Sequence, residues 1–347
     1  MFNNLINIHD FVRFFEKVKA GRLKPILGKI LGKKEKRIKE TWKHTGAPPV
    51  HWVNIPAVQE RLNELISGDA AVGHRSYIKE KYFQNCSDST ALSLGCGGGQ
   101  NEIAWAETGI FKRIDAFDIS ESRIAHAVRA AAGKGLDNIV RFTAADVQKL
   151  GLEKERYDLV LFEGSLHHFY PVQKILRRAN SSLKPGGYLL VYDFVGPTRF
   201  QWSARQLAIV NGLLDILPAR YKRKWESSVL KKPVHRPGRL TMVLRDPSEA
   251  ADSADILPAL RREFEILETK ETGGAVLHLL FSEIAHHFLG EDPLTRELLR
   301  LCFAVEDTLM KAKEISSDFI LAVGRKKGTA LPWKDSKNQG DKKKVVL

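Results

Sequence analysis

Cysteine is scarce: Cys86, Cys96 and Cys302 stand far apart in a chain of 347 residues and form no Cys-x-x-Cys pair. That excludes a disulfide framework and a cysteine-held structural zinc, and it fits a reducing cytoplasm. No apolar run reaches the roughly 18 residues that a membrane-crossing helix needs. Near the start, Asp10, Arg13 and Glu16 interrupt any apolar core of a secretory signal. Acidic charge is short at both ends. Residues 1–45 carry a net +8 and residues 325–347 a net +6, out of +14 for the whole chain. A neutral body between two basic ends is not the footprint of a broad nucleic-acid face, so nucleic acid is not an expected partner.

What is present begins at Ala91. The run Ala91–Leu94 is short and apolar enough for a buried strand. Gly95, Gly97 and Gly99 then make a turn without side chains, and Asn101–Glu107 reads as a helix start. A strand, a glycine turn and a helix N-terminus let backbone N–H groups approach a ligand closely. A second apolar run, Ile114–Asp118, ends in a carboxylate 19 positions beyond Gly99. At that offset a carboxylate can accept both hydroxyls of a ribose. A dinucleotide fingerprint asks for a glycine at position 100, where this chain has Gln100.

The Gly-x-Gly-x-Gly spacing resembles motif I of the class I S-adenosylmethionine (SAM) methyltransferases, and residues downstream follow that family's order. Val140–Ala144 reads as a third strand, followed by Asp146 and Val147; Tyr157–Glu163 reads as a fourth, followed by Gly164-Ser165-Leu166-His167-His168-Phe169. Leu183-Lys184-Pro185-Gly186-Gly187 precedes a fifth, Tyr188–Phe194. The resemblance covers roughly residues 88–195. In motif style it is similar to the ubiquinone/menaquinone-type enzymes, and more loosely to bacterial methyltransferases of surface-polysaccharide pathways. It implies an α/β fold: a Rossmann-like, seven-stranded, mostly parallel sheet with helical lid insertions. It implies SAM as cofactor, held by Ser93, Gly95, Gly97, Gly99, Asp118, Ile119, Asp146, Val147 and Glu163, with Asp146 toward the adenine amino group. Ser93 departs from the family, which often has Asp or Glu there. Cys96 reads as a small packing residue.

Along the chain, residues 1–45 form a basic arm with an apolar stripe (Phe2, Leu5, Ile8, Phe11, Val12, Phe15, Val18). Such an arm packs on the body or lies on an anionic membrane. Residues 46–196 hold cover helices and the cofactor core, 197–262 a helical lid, 263–325 a final strand pair split by helices, and 326–347 a basic disordered tail. Strands are expected at Phe264–Glu268 and Asp318–Val323, and helices at Ala275–Phe288 and Asp292–Lys313.

Methyl transfer from a sulfonium mainly needs the acceptor positioned and water excluded. A hydroxyl acceptor must also lose a proton. His167 and His168 follow the fourth strand and are not separable by sequence as the base; Asp193, ending the fifth, would bind an acceptor hydroxyl or orient a histidine. Tyr170, Arg199, Gln201 and Trp202 are further pocket candidates. His278, His286 and His287 lack a completing carboxylate, and no metal is expected. The expected function is methylation of a small-molecule or sugar acceptor, O-methylation favoured over N or C, in cell-surface glycan or lipid-linked sugar synthesis. The expected location is the cytoplasm, including the inner membrane face. The sequence leaves the oligomeric state open. Competing readings are an RNA or protein methyltransferase, or a SAM-binding scaffold without turnover; no Asn/Asp-Pro-Pro-Tyr motif follows the fourth strand.

Overall fold

Seven strands form one sheet in the order β3-β2-β1-β4-β5-β7-β6. The computed structural model describes residues 50–327. The basic arm and residues 328–347 lie outside the described residues. Two cover helices come first, α1 (Pro56–Ser67) and α2 (His74–Tyr82). The core then alternates β1 (Ser89–Leu94), α3 (Gln100–Ala106), β2 (Phe111–Asp118), α4 (Glu121–Ala132), β3 (Val140–Ala144), β4 (Tyr157–Glu163), α5 (Val172–Ser182) and β5 (Leu183–Phe194). A lid follows with α6 (Ala204–Ile216), α7 (Arg239–Arg245) and α8 (Ile256–Glu263). The chain then runs through β6 (Phe264–Gly273), α9 (Leu277–Phe281), α10 (Pro293–Lys311) and β7 (Phe319–Lys326). Strands β1 to β5 pair in parallel, whereas β7 runs antiparallel to both β5 and β6.

Alternation along the central strands assigns the two faces. Leu92, Leu94, Val160 and Phe162 pack with Ile175 and Leu176 of α5 and Ile256 of α8. Ala91, Leu159 and Leu161 pack with Ile103 and Trp105 of α3, Ile124 of α4 and Ile78 of α2. A third cluster lies under the lid, with Trp52, Val210 of α6, Phe281 of α9 and Leu299 of α10. Each large apolar side chain fully buried this way adds about 1.5–3 kcal/mol. Chain order reverses between β1 and β4, so the ligand crevice of such a sheet opens at their carboxyl ends.

The expected long helix over 275–288 breaks. Non-helical backbone at Ser282 ends α9 after Phe281, and Ala285–Phe288 is a short 3-10 turn. The buried Lys231 ammonium donates to the carbonyls of Leu279, Leu280 and Ser282, leaving a stop where another turn would form. The last two strands run further than the apolar pattern suggests, to Gly273 and Lys326. Lys326 therefore belongs to β7 and not to a tail: its Nζ donates to Leu183 O at 2.9 Å and to Glu155 Oε1 at 3.0 Å. Among the described residues no helix is long and apolar enough to cross a membrane.

Candidate functional site

At the carboxyl ends of β1, β2 and β4 lies a pocket of about 430 Å³. Its wall includes Gly95, Asp118, Ile119, Asp146, Val147 and His168. That size suits a nucleoside-scale ligand. Of the glycine turn, Gly95 lines the pocket. Gly95 and Gly99 hold φ of +86° and +80°, which only glycine adopts without strain. A Cβ on Gly95 would stand 2.7 Å from Ser165 Cβ, and one on Gly99 would stand 2.6 Å from Phe142. The turn is therefore packed from beneath by the β4 loop and β3. Gly97 and Gly99 shape it without lining the pocket.

Asp118 is tied to the same turn. Its Oδ2 accepts from Gly97 N at 2.9 Å and its Oδ1 from Ser120 N at 2.8 Å. A carboxylate offers about four lone-pair positions, so two remain for a diol. Asp146 accepts from Gln148 N at 3.0 Å. The neighbouring Val147 carbonyl is held by Arg178 of α5 at 2.5 Å, which fixes that loop over the sheet edge.

Two expected cofactor contacts sit elsewhere. Ser93 is on the α3 face of β1, and its hydroxyl donates to Glu102 Oε1 at 2.6 Å. Glu163 shares that face on β4. Its carboxylate accepts from Arg75 Nη2 at 2.6 Å and Trp105 Nε1 at 2.6 Å and stands 3.3 Å from His74 Nε2. Burial opposes its charge, but His74 and Arg75 outweigh that and hold it down at about 2. Neither side chain reaches the pocket wall. They fasten α2 and α3 to the sheet. Glu102 places a carboxyl against β1 below the glycine turn, although Ser93 itself carries none. Cys96 is a packing residue in the same sense: burial, with Glu102 and Asp118 nearby, pushes its thiol far above its ordinary range.

The histidine pair is resolved. His168 lines the pocket with Ser248 of the lid, their Nδ1 and Oγ 3.4 Å apart. His167 lies behind it, the two rings 4.1 Å apart. Its Nδ1 donates to Asp193 Oδ1 at 2.5 Å, and its Nε2 faces Glu249 Oε1 of the lid at 3.6 Å. Burial works against charge on His167, but Asp193 and Glu249 raise it to about 9. Burial, with the His167 charge, pushes His168 well below the ordinary range. Asp193 does not face an acceptor. It is 1 % exposed, and its carboxylate accepts from Ser165 N, Leu166 N and Phe194 N as well as from His167. It holds the β4 loop in shape and orients one histidine.

Arg199 leaves the pocket too. Its guanidinium donates to the carbonyls of Pro247 at 2.8 Å and Glu249 at 2.9 Å, fastening the lid segment that carries Ser248 and Glu249. Trp202 Nε1 donates to Asp318 at 3.1 Å and Gln201 binds backbone carbonyls, so both brace the lid. Tyr170 is half exposed beside the pocket loop. His278 packs between Trp52 and Phe319, and its loss of solvent lowers it to about 3. His286 and His287 pack against Trp225 and Tyr221.

A methyltransferase domain model matches residues 92–191. The chain is 33% identical over 104 residues to the 27-O-demethylrifamycin SV methyltransferase of Amycolatopsis mediterranei (strain S699), which is 30% of this chain and 38% of that protein. It is 30% identical over 98 residues to the ubiquinone biosynthesis O-methyltransferase of Coxiella burnetii (strain RSA 493 / Nine Mile phase I), covering 28% of this chain and 40% of that one. The chain thus spans about two fifths of the length of these curated relatives. The solved geranyl diphosphate C-methyltransferase from Streptomyces coelicolor A3(2) shares the fold, with a TM-score of 0.51 at 11% identity, covering 86% of this chain and 99% of that one. With its strand order, its glycine turn and this match, the chain is similar over residues 92–191 to the class I S-adenosylmethionine-dependent methyltransferases.

Proposed function

We propose that this protein transfers a methyl group from SAM to a hydroxyl of a small-molecule acceptor. The carrying observation is the pocket itself, lined by Gly95 of the packed glycine turn, by Asp118 with lone pairs to spare, and by Asp146 and Val147. Those residues fit SAM, with Asp118 toward the ribose and Asp146 and Val147 toward the adenine. When bound, SAM supplies a methyl carbon on a sulfonium, which bonds to the acceptor oxygen as the carbon–sulfur bond breaks and its electron pair stays on sulfur.

The chain's own part is to bind, orient and dry the acceptor. The lid segment at Ser248 and Glu249 stands over the pocket beside His168, where an acceptor would enter. His168, which lines the pocket, handles the acceptor's hydroxyl proton, with His167 behind it held in place by Asp193. O-methylation is favoured over N- or C-methylation because such proton-handling groups cluster there. The acceptor class we favour is a sugar unit in cell-surface glycan or lipid-linked sugar synthesis. The basic arm would then rest against the inner face of the membrane, which gives its apolar stripe and +8 charge a purpose.

Incubating the protein with methyl-tritiated SAM and fractionated lysate of the native host tests this. Label in the glycan, lipid or small-molecule pool supports the reading. Label in RNA or protein overturns the acceptor class, and tight SAM binding with no label in any pool favours a scaffold.

A further inference from the structure

His278, His286 and His287, which lack a completing carboxylate in the sequence, form no metal-ligand cluster among the described residues. The lid brings a different set together. His167, His168 and Glu249 each offer one ligand atom, and these atoms lie within 4.8 Å of one another. Among the described residues no other set of three such side chains converges in this way.

We propose that His167, His168 and Glu249 hold a divalent first-row metal ion at the lid side of the pocket, and that this ion binds the acceptor oxygen. The inference rests on the methyl-transfer reading and gives its proton-handling constellation a chemical form. Three details support it. First, His167 Nε2 and Glu249 Oε1 stand 3.6 Å apart, too far for a hydrogen bond. Two donors each about 2.1 Å from one ion stand roughly 3.0–3.4 Å apart, so a slight closure seats an ion between them. Second, His167 is already oriented as a metal ligand: its Nδ1 donates to the buried Asp193 at 2.5 Å, which leaves Nε2 toward Glu249. A carboxylate behind a ligating histidine is the usual outer partner in such sites. Third, His168 lines the pocket, so the ion would have one side open to it.

Two imidazoles and one carboxylate select zinc, manganese, iron or cobalt over calcium or magnesium. Three protein ligands leave positions for an oxygen donor from the acceptor. A hydroxyl bound there loses its proton to water more readily, and the oxyanion that remains is held by the ion while it attacks carbon. The acceptor class that follows is a molecule with a hydroxyl beside a second oxygen, such as a vicinal diol or a hydroxy acid, able to chelate. Glu249 comes from the lid and the histidines from the β4 loop, so the site exists only with the lid in place.

The test uses the full chain stripped with a chelator and titrated with Co²⁺ alone, followed by visible absorption, with Zn²⁺ as competitor. One equivalent is expected. Glu249→Gln and His167→Ala should weaken it at least about 100-fold, and Asp193→Asn about 10–100-fold, with unchanged near-ultraviolet circular dichroism confirming the fold. His286→Ala/His287→Ala should leave it intact. No stoichiometric uptake, or equal uptake by Glu249→Gln, overturns the proposal. SAM titrated into the stripped protein separates the two readings. SAM affinity without ion uptake removes the metal and keeps the methyl-transfer reading; no SAM affinity removes that reading itself.

Discussion

Ser93 on β1 and Glu102 on α3 share one hydrogen bond of 2.6 Å, and both side chains are only 3 % exposed. The second carboxyl oxygen of Glu102 has no hydrogen-bond partner. Burial pushes this carboxyl up to about 7, although the Ser93 bond pulls the other way. A proton is therefore held by the folded state between about pH 4.5 and 7 that the unfolded chain has released. Stability falls as pH rises through that window, by an order of about 3 kcal/mol, and levels off above it. Urea unfolding across pH 4.5–8 should show this slope, and Glu102→Gln should flatten it. Asp318, buried beside Trp202 and Gln206 and pushed up to about 7, adds a slope of the same sign that survives in Glu102→Gln.

Removing the Asp118 carboxylate costs more than a ribose contact. Gly97 N and Ser120 N both donate to it, so Asp118→Ala loosens the glycine turn as well. Calorimetry should show SAM affinity lost by at least about 100-fold, or about 3 kcal/mol. Asp118→Asn, which keeps one acceptor oxygen, should lose less. Equal affinity in Asp118→Ala and the parent would remove Asp118 from the site.

The three glycines should not be equivalent. A side chain on Gly99 meets Phe142 at 2.6 Å and Ala127 at 2.7 Å, both packed in the core. Gly99→Ala should destabilise by about 3 kcal/mol through overpacking and left-handed strain. At Gly97 a Cβ meets only the flexible tip of Arg123, at 3.1 Å. Gly97→Ala should cost about 1–2 kcal/mol, the backbone term alone. Denaturation midpoints of the two variants decide the ordering.

Arg199→Ala should uncouple the lid. Its loss strips the Asp246, Pro247 and Glu249 carbonyls, in the segment that carries Ser248 and Glu249, of their donor. Limited proteolysis is expected to open first near residues 246–250. SAM affinity should stay within a few-fold while acceptor turnover drops at least about 10-fold. Unchanged proteolysis and turnover would show that the lid is held by other contacts.

The cofactor half of the fold was legible because its signals are local. Strand, glycine turn and carboxylate are contiguous or nearly so, and Asp118, Asp146 and Val147 line one pocket. Side-chain direction was partly legible and was missed. Ser93 and Glu163 share parity with Ala91 and Leu161, which puts both on the helix-covered face and away from the crevice. Glu249 could not be read: it lies about 80 residues past His168 in a segment with no periodic pattern, and only the lid's path brings it to the histidines. The helix over 275–288 was overread for a similar reason, since the group that ends it, Lys231, comes from a distant part of the lid.

The strand order has a consequence for how the chain is made. Among the described residues β6 finds its hydrogen-bonded neighbour only in β7, which inserts between it and β5. Until residues 319–326 have left the ribosome, β5 shows a bare edge, and β6 waits unpaired through the whole of 274–318. A nascent chain at that stage presents two unsatisfied strand edges, the kind that recruit other chains. Ribosome stalling or truncation just before Phe319 should therefore yield an aggregating species.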